Sequence, residues 1–155
     1  MDEQGSTKHR ALVLVVEDEE AMLEVYQDTL ARLGVQVVAM SDPRRVLGLF
    51  EGNGHFDLIL LDLRMPHLDG ITLLERLRQA HPAAPVIVVT GYPSRETAAR
   101  CRELGVLHYI RKPFDPEDLL RRVSKVIAGP SGDLPTGRQP RRRNIDDRSD
   151  GRSDG

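Results

Sequence analysis

The sequence predicts a doubly wound α/β domain: a five-stranded parallel sheet with five helices. Three observations predict it. Between residues 10 and 128, five short aliphatic runs alternate with segments of helical periodicity. The first run, Leu12–Val16, is continuously aliphatic, as a strand covered on both faces must be. The chain has 155 residues, of which 39 % are apolar, 30 % charged and 4 % aromatic, with no Trp. That suits one globular domain with an aliphatic core.

Residues 1–9 lack the apolar stretch of a secretion signal and are read as a flexible N-terminus. The Leu12–Val16 strand leads into a helix over Glu19–Leu33. That helix aligns Met22, Tyr26, Thr29, Leu30 and Leu33 on one stripe and stops at Gly34. Val35–Met40 is the second strand. Asp42 as cap and Pro43 at the first helical position predict a helix over Pro43–Phe50. Leu58–Leu61 is the third strand, and the next helix, Ile71–Gln79, buries Leu73, Leu74 and Leu77. Val86–Thr90 then precedes a helix over Arg95–Leu104 that Gly105 closes. Leu107–Ile110 is the last strand. Asp115-Pro116-Glu117-Asp118 opens a final helix that buries Leu119, Leu120, Val123 and Ile127. Crossovers between parallel strands are expected to be right-handed.

Composition changes abruptly after Ala128. The last 27 residues hold six Arg, five Asp, five Gly, three Pro and three Ser, and only Leu134 and Ile145 could enter a core. So few apolar groups cannot offset the entropy of ordering, so residues 129–155 are expected to form a disordered tail. Arg141-Arg142-Arg143 within it is read as a solvated linker, because six Arg against five Asp leaves little net charge. The folded domain is therefore expected over residues 10–128.

Several classes are excluded. No apolar run approaches the roughly 18 residues needed to span a bilayer, and the single cysteine, Cys101, agrees with a reducing, cytoplasmic setting. A net charge of −2 makes no electrostatic case for nucleic acid or membrane as the main partner. The five histidines show no metal-ligand spacing, and Gly52-Asn53-Gly54 is a turn rather than a dinucleotide fingerprint.

Open parallel sheets place their chemistry at the carboxyl ends of the strands. The first strand ends in Glu17-Asp18, the third in Asp62, the fourth in Thr90 and the fifth in Arg111-Lys112-Pro113. Three carboxylates gathered on one rim repel one another unless a cation neutralises them, and an oxygen-only set suits Mg²⁺. A lysine and a hydroxyl beside them supply positive charge and a donor for phosphoryl oxygens, with Asp62 as the nucleophile.

These residues resemble the response regulator receiver domain of two-component signalling. The resemblance covers residues 10–128 and rests on Val15-Val16-Glu17-Asp18-Glu19, Leu60-Leu61-Asp62-Leu63-Arg64-Met65-Pro66-His67-Leu68-Asp69-Gly70, Val88-Val89-Thr90-Gly91 and Tyr109-Ile110-Arg111-Lys112-Pro113-Phe114. Their spacing is similar too: 44 residues from Asp18 to Asp62, 28 on to Thr90 and 22 more to Lys112. The resemblance implies a flavodoxin-like receiver fold with strand order 2-1-3-4-5, for which a member of this family is a standard example.

It also implies roles. Asp62 accepts a phosphoryl group from a phosphohistidine on a sensor histidine kinase or a histidine phosphotransfer protein. Asp18, Asp62 and the backbone carbonyl of Arg64 ligate Mg²⁺, and Glu17 holds it through water. Lys112 pairs with Asp62 and then with a phosphate oxygen, Thr90 donates to another, and Tyr109 is the switch aromatic. The Lys112–Pro113 bond would be cis. Arg64 and Tyr92 flank the phosphate, with Tyr92 expected to slow attack by water. The readout face is expected on the fourth helix, fifth strand and fifth helix, for a downstream protein target or a phosphorylation-dependent homodimer. Leu23 is read as the edge of the first helix's apolar stripe, with a partner contact as the alternative.

The expected function is a phosphoacceptor, read as a stand-alone receiver, with no direct nucleic-acid or membrane binding and no catalysis on an external metabolite. A phosphorylation-independent adaptor and a piece of a larger regulator or hybrid kinase stay open. An aspartate-nucleophile phosphatase would need a second carboxylate two residues after Asp62. That position is Arg64, which cannot act as an acid or base.

Overall fold

The computed structural model describes residues 10–52 and 54–129. The expectations for residues 1–9 and, beyond Gly129, for the tail with Arg141-Arg142-Arg143 lie outside the described residues. Five strands, β1 (Leu12–Val16), β2 (Gln36–Met40), β3 (Leu58–Asp62), β4 (Val86–Thr90) and β5 (His108–Arg111), form one parallel sheet in the order β2-β1-β3-β4-β5. Among the described residues, the α-helices α1 (Glu20–Ala31), α2 (Gly70–Ala80) and α3 (Arg95–Glu103) lie in crossovers, and α4 (Pro116–Ala128) follows β5.

The second of the five predicted helices, over Pro43–Phe50, is present as two successive 3-10 turns, Pro43–Arg45 and Leu47–Phe50. Asp42 caps the first by accepting from the Arg44 N–H at 3.0 Å. The following backbone bonds run from Arg45 N to Asp42 O, Val46 N to Pro43 O and Leu49 N to Val46 O. Eight residues interrupted by Gly48 are too few to repay α-helix nucleation, and the tighter turn suffices to bury Pro43, Val46 and Phe50.

Alternation along the strands divides the core into two layers. Leu14, Val16, Ile59, Leu61 and Val88 face Leu73, Leu74 and Leu77 of α2 and Cys101 of α3. Val13, Val15, Leu58, Leu60, Ile87 and Val89 face Tyr26 and Leu30 of α1 and Leu119 and Val123 of α4. Both faces of the central strands are therefore covered, which is why β1 needs an unbroken aliphatic run. Leu23 is half-buried against the second layer, as a stripe-edge residue should be. Cys101 is buried, and burial pushes its thiol up to about 11, so it is a small core side chain and not a reactive one.

Two boundaries differ at the rim and one at the opposite edge of the sheet. β5 begins at His108, and Leu107, expected inside it, is 47 % exposed. β3 and β5 each extend one residue further than predicted, to Asp62 and Arg111, so Asp62 pairs with Val89 and Arg111 with Thr90 in the ladder. Asp62 is thus held by strand geometry instead of lying in a loop. His108, inside the strand predicted over Leu107–Ile110, is a half-buried strand residue accepting from Arg122 Nη1 at 3.0 Å. Burial, with the charges of Arg122 and Lys125, holds its imidazole below its ordinary pKa. Among the described residues no helix is long and apolar enough to cross a membrane.

Candidate functional site

All five strands point their carboxyl ends to one rim. β1 stands between β2 and β3, so the chain leaves it in one direction and returns on the other side, opening a crevice there. Glu17 and Asp18 follow β1 directly. Glu17 is turned inward and only 1 % exposed, and its Oε2 accepts from the Glu19 N–H at 3.2 Å. Asp18 is half-buried. One carboxylate oxygen from each of Glu17, Asp18 and Asp62 lies within 4.8 Å of the others.

The cation that balances these acids is Lys112, placed by the end of β5. Its backbone N–H donates to Thr90 O at 2.8 Å, and its bond to Pro113 is cis. Its Nζ lies 2.8 Å from Glu17 Oε1 and 3.4 Å from Asp62 Oδ2. Burial raises the pKa of Glu17, and the Asp62 charge adds to the rise, while the Lys112 hydrogen bond and charge work against it. For Lys112, burial opposes the charge, but the Glu17 hydrogen bond and the Asp62 charge outweigh it and hold the ammonium above its usual range. Beneath the acids lies Tyr26, 1 % exposed and stacked on Phe114 with centroids 5.5 Å apart. Burial pushes its phenol up, and the charges of Glu17 and Asp62 push it further.

Asp62 also accepts from the Arg64 N–H at 3.2 Å through Oδ1. Thr90, fully buried, accepts from the Tyr92 N–H at 3.1 Å. The Arg64 guanidinium carbon sits 3.9 Å over the centre of the Tyr92 ring, a cation–π contact at the mouth of the cleft. Tyr109 stands one strand residue before Ile110, half-buried against the α2–α3 layer. Its hydroxyl lies 2.7 Å from Thr97 Oγ1 on α3.

The residues nominated from the sequence for phosphoryl chemistry thus gather at this rim: Glu17, Asp18, Asp62, Arg64 and Lys112 line one cleft of about 390 Å³, and the buried Thr90 bonds Tyr92 of its lining. A groove of similar size between α1 and α4 is bridged by the exposed pair Arg32–Glu117 and gathers no cluster of acids. The oxygen-only donor set, crowded and balanced by a single lysine, fits a hard divalent cation.

Sequence reasoning missed Gly70. A Cβ there would stand 2.5 Å from Leu63 Cα, 2.8 Å from Asp62 O and 2.9 Å from Leu63 O. The backbone leaving β3 at Asp62 and Leu63 is laid against that glycine, and Asp69 caps α2 beside it by accepting from the Ile71 and Thr72 N–H groups. Gly70→Ala is expected to lower stability by roughly 1–3 kcal/mol through overpacking, measurable by urea unfolding. Wild-type stability would show that this backbone can move aside freely.

Comparisons with known proteins agree with this geometry. Residues 13–124 match the family model described as the response regulator receiver domain. The DNA-binding transcriptional regulator NtrC of Salmonella typhimurium is 31 % identical over 119 residues, 77 % of this chain and 25 % of the relative. The alkaline phosphatase synthesis transcriptional regulatory protein PhoP of Bacillus subtilis is 35 % identical over 127 residues, 79 % of this chain and 52 % of the relative. The chain therefore spans between a quarter and a half of the length of these curated relatives. A CheY-like receiver domain protein from Methanospirillum hungatei superposes with a TM-score of 0.69 at 32 % identity, over 74 % of this chain and 90 % of that one.

Proposed function

The chain belongs to the response regulator receiver domain family, and we propose that it accepts a phosphoryl group on Asp62 from the phosphohistidine of a sensor histidine kinase or a histidine phosphotransfer protein. One observation carries the assignment of the acceptor: Asp62 ends β3 within a cluster of three carboxylates balanced by the single ammonium of Lys112. In the transfer, an Asp62 oxygen bonds to phosphorus as the donor's nitrogen–phosphorus bond breaks and leaves its electron pair on the imidazole. Lys112 turns from the carboxylates to a phosphoryl oxygen, and the Thr90 hydroxyl donates to another while still accepting from Tyr92. In hydrolysis, water attacks phosphorus and the bond to Asp62 breaks, releasing inorganic phosphate.

Asp18 and Asp62, the Arg64 carbonyl, and Glu17 through water are the groups that would hold Mg²⁺. When bound, the ion supplies positive charge for the crowded acids and the transferring phosphoryl oxygens.

Phosphorylation favours whichever arrangement of the Thr90 loop and Tyr109 contacts the new oxygens best, and the shift is limited by that difference in contacts. The output surface is the face of α3, β5 and α4, offered to a downstream protein or to a second copy of the chain; residues 10–128 act as one signalling domain, in the cytoplasm. The test is NMR of the protein with Mg²⁺ and beryllofluoride. Shifts are expected around Tyr109 and residues 95–104, and an unchanged spectrum there would reject the switch. The exposed Tyr92 ring and the Arg64 guanidinium on it screen the phosphoryl group from water. Tyr92→Ala is therefore expected to shorten the phosphoryl lifetime several-fold, followed by loss of label from the phosphorylated protein. An unchanged lifetime would show that the pair does not shield.

A further inference from the structure

The hydroxyl of Tyr109 takes part in the cap of α3. Ser94 is the N-cap, and its Oγ accepts from the Thr97 N–H at 3.1 Å. Thr97 Oγ1 lies 3.0 Å from Ser94 Oγ and 3.2 Å from Ser94 O, to which it donates. The Tyr109 hydroxyl stands 2.7 Å from Thr97 Oγ1 and accepts from the Ser94 N–H at 3.3 Å. The switch tyrosine is thus tied to the first turn of the neighbouring helix at two points, one of them a side chain that no step of the phosphoryl chemistry uses.

The other end of α3 is held differently. Arg78 of α2 donates to Leu104 O at 2.5 Å and to Gly105 O at 3.3 Å, and also to Ala84 O at 2.6 Å before β4. Arg100 adds an ion pair from α3 to Glu75 of α2 at 2.8 Å. The far end of α3 is therefore anchored by guanidinium groups, and the end next to Thr90 by neutral hydroxyls. Neutral hydrogen bonds at a half-exposed helix start are the weaker of the two.

We propose that Thr97 is a positioning residue of the switch, which through its hydrogen bond to Tyr109 holds the ring and the start of α3 together in the unphosphorylated arrangement. The proposal rests on the phosphoacceptor reading. When Thr90 is drawn toward a phosphoryl group, the short segment Gly91–Pro93 pulls on Ser94, and Tyr109 can turn only by leaving Thr97. The tie therefore opposes activation, and α3 pivots about its anchored end.

The test compares beryllofluoride affinity, in saturating Mg²⁺, for wild type, Thr97→Val, Tyr109→Phe, the double variant and Thr97→Ser. Loss of one neutral hydrogen bond from the resting state alone is expected to tighten binding roughly fivefold. Thr97→Val should show this gain, Tyr109→Phe, which also gives up the bond from the Ser94 N–H, at least as much, the double variant should gain no more than Tyr109→Phe alone, and Thr97→Ser should match wild type. Tyr109 ring resonances should also move in Thr97→Val before any beryllofluoride is added. Wild-type affinity in both single variants, or gains that simply add in the double variant, would overturn the proposal. Wild-type protein that takes up no beryllofluoride would overturn the phosphoacceptor reading and this one with it. Binding by wild type that no variant alters would overturn this one alone. Should Thr97→Val unfold, Thr97→Ala, which also lacks the hydroxyl, takes its place in the comparison.

Discussion

Asp62→Asn is expected to reduce phosphoryl transfer from every histidine-phosphorylated donor to background while leaving the protein folded. The amide keeps the shape of the side chain and can still accept from the Arg64 N–H, so the end of β3 has no reason to move. It has no anionic oxygen to attack phosphorus. The other acids are not expected to stand in: Glu17 is 1 % exposed and held at 2.8 Å by Lys112, and Asp18, after β1, has no ion pair to Lys112 among the described residues. Without metal the variant should also be at least as stable as wild type, because one of three mutually repelling carboxylates is gone while Lys112 keeps its nearer partner. A panel of labelled sensor kinases, offered wild type and variant in parallel, identifies donor and acceptor residue together. Equal labelling of the two proteins would place the acceptor elsewhere.

Lys112→Met should have the largest effect on stability. The methionine preserves most of the apolar stem but removes the ammonium, leaving Glu17 and Asp62 buried without a cation. Their side chains are 2 % and 5 % exposed and that of Lys112 is 18 %, so water screens the interaction little. Removing one partner of a buried ion pair costs about 3–5 kcal/mol, and that loss is expected in urea unfolding of the metal-free variant. Mg²⁺ should return part of it, by about 2.7 kcal/mol at a hundredfold excess over its dissociation constant. The variant should also bind the ion more tightly than wild type, since no ammonium competes for the acids. A metal-free variant as stable as wild type would mean that the lysine is not what compensates the cluster.

The two experiments probe different parts of one arrangement. The first tests the proposed acceptor, and the second tests the ammonium that offsets the burial of Glu17 and Asp62.

Much of this was legible in the chain. The aliphatic runs of β1 and β4, the alternation with helical stripes and the acids after β1 and β3 placed Glu17, Asp18, Asp62, Thr90 and Lys112 on one rim before any coordinates. Other features were not. Pro43–Phe50 has the cap and proline of an α-helix, but its length and Gly48 favour 3-10 turns, and no period distinguishes these over eight residues. The one-residue extension of β3 to Asp62 depends on pairing with Val89, which β3 cannot show by itself.

By itself the sequence determined the alternation of strands and helices and which residues end the strands at the rim, because strand and helix periods are local properties written residue by residue. Only the tertiary structure decided who touches whom. Lys112 lies nearer Glu17, 95 positions away, than Asp62, 50 positions away. Arg64 lies over Tyr92, Gly70 makes room for the backbone of Asp62 and Leu63, and Tyr109 is tied to Thr97. Such contacts depend on side-chain reach and on a few ångströms of backbone placement between distant segments, which no local pattern records.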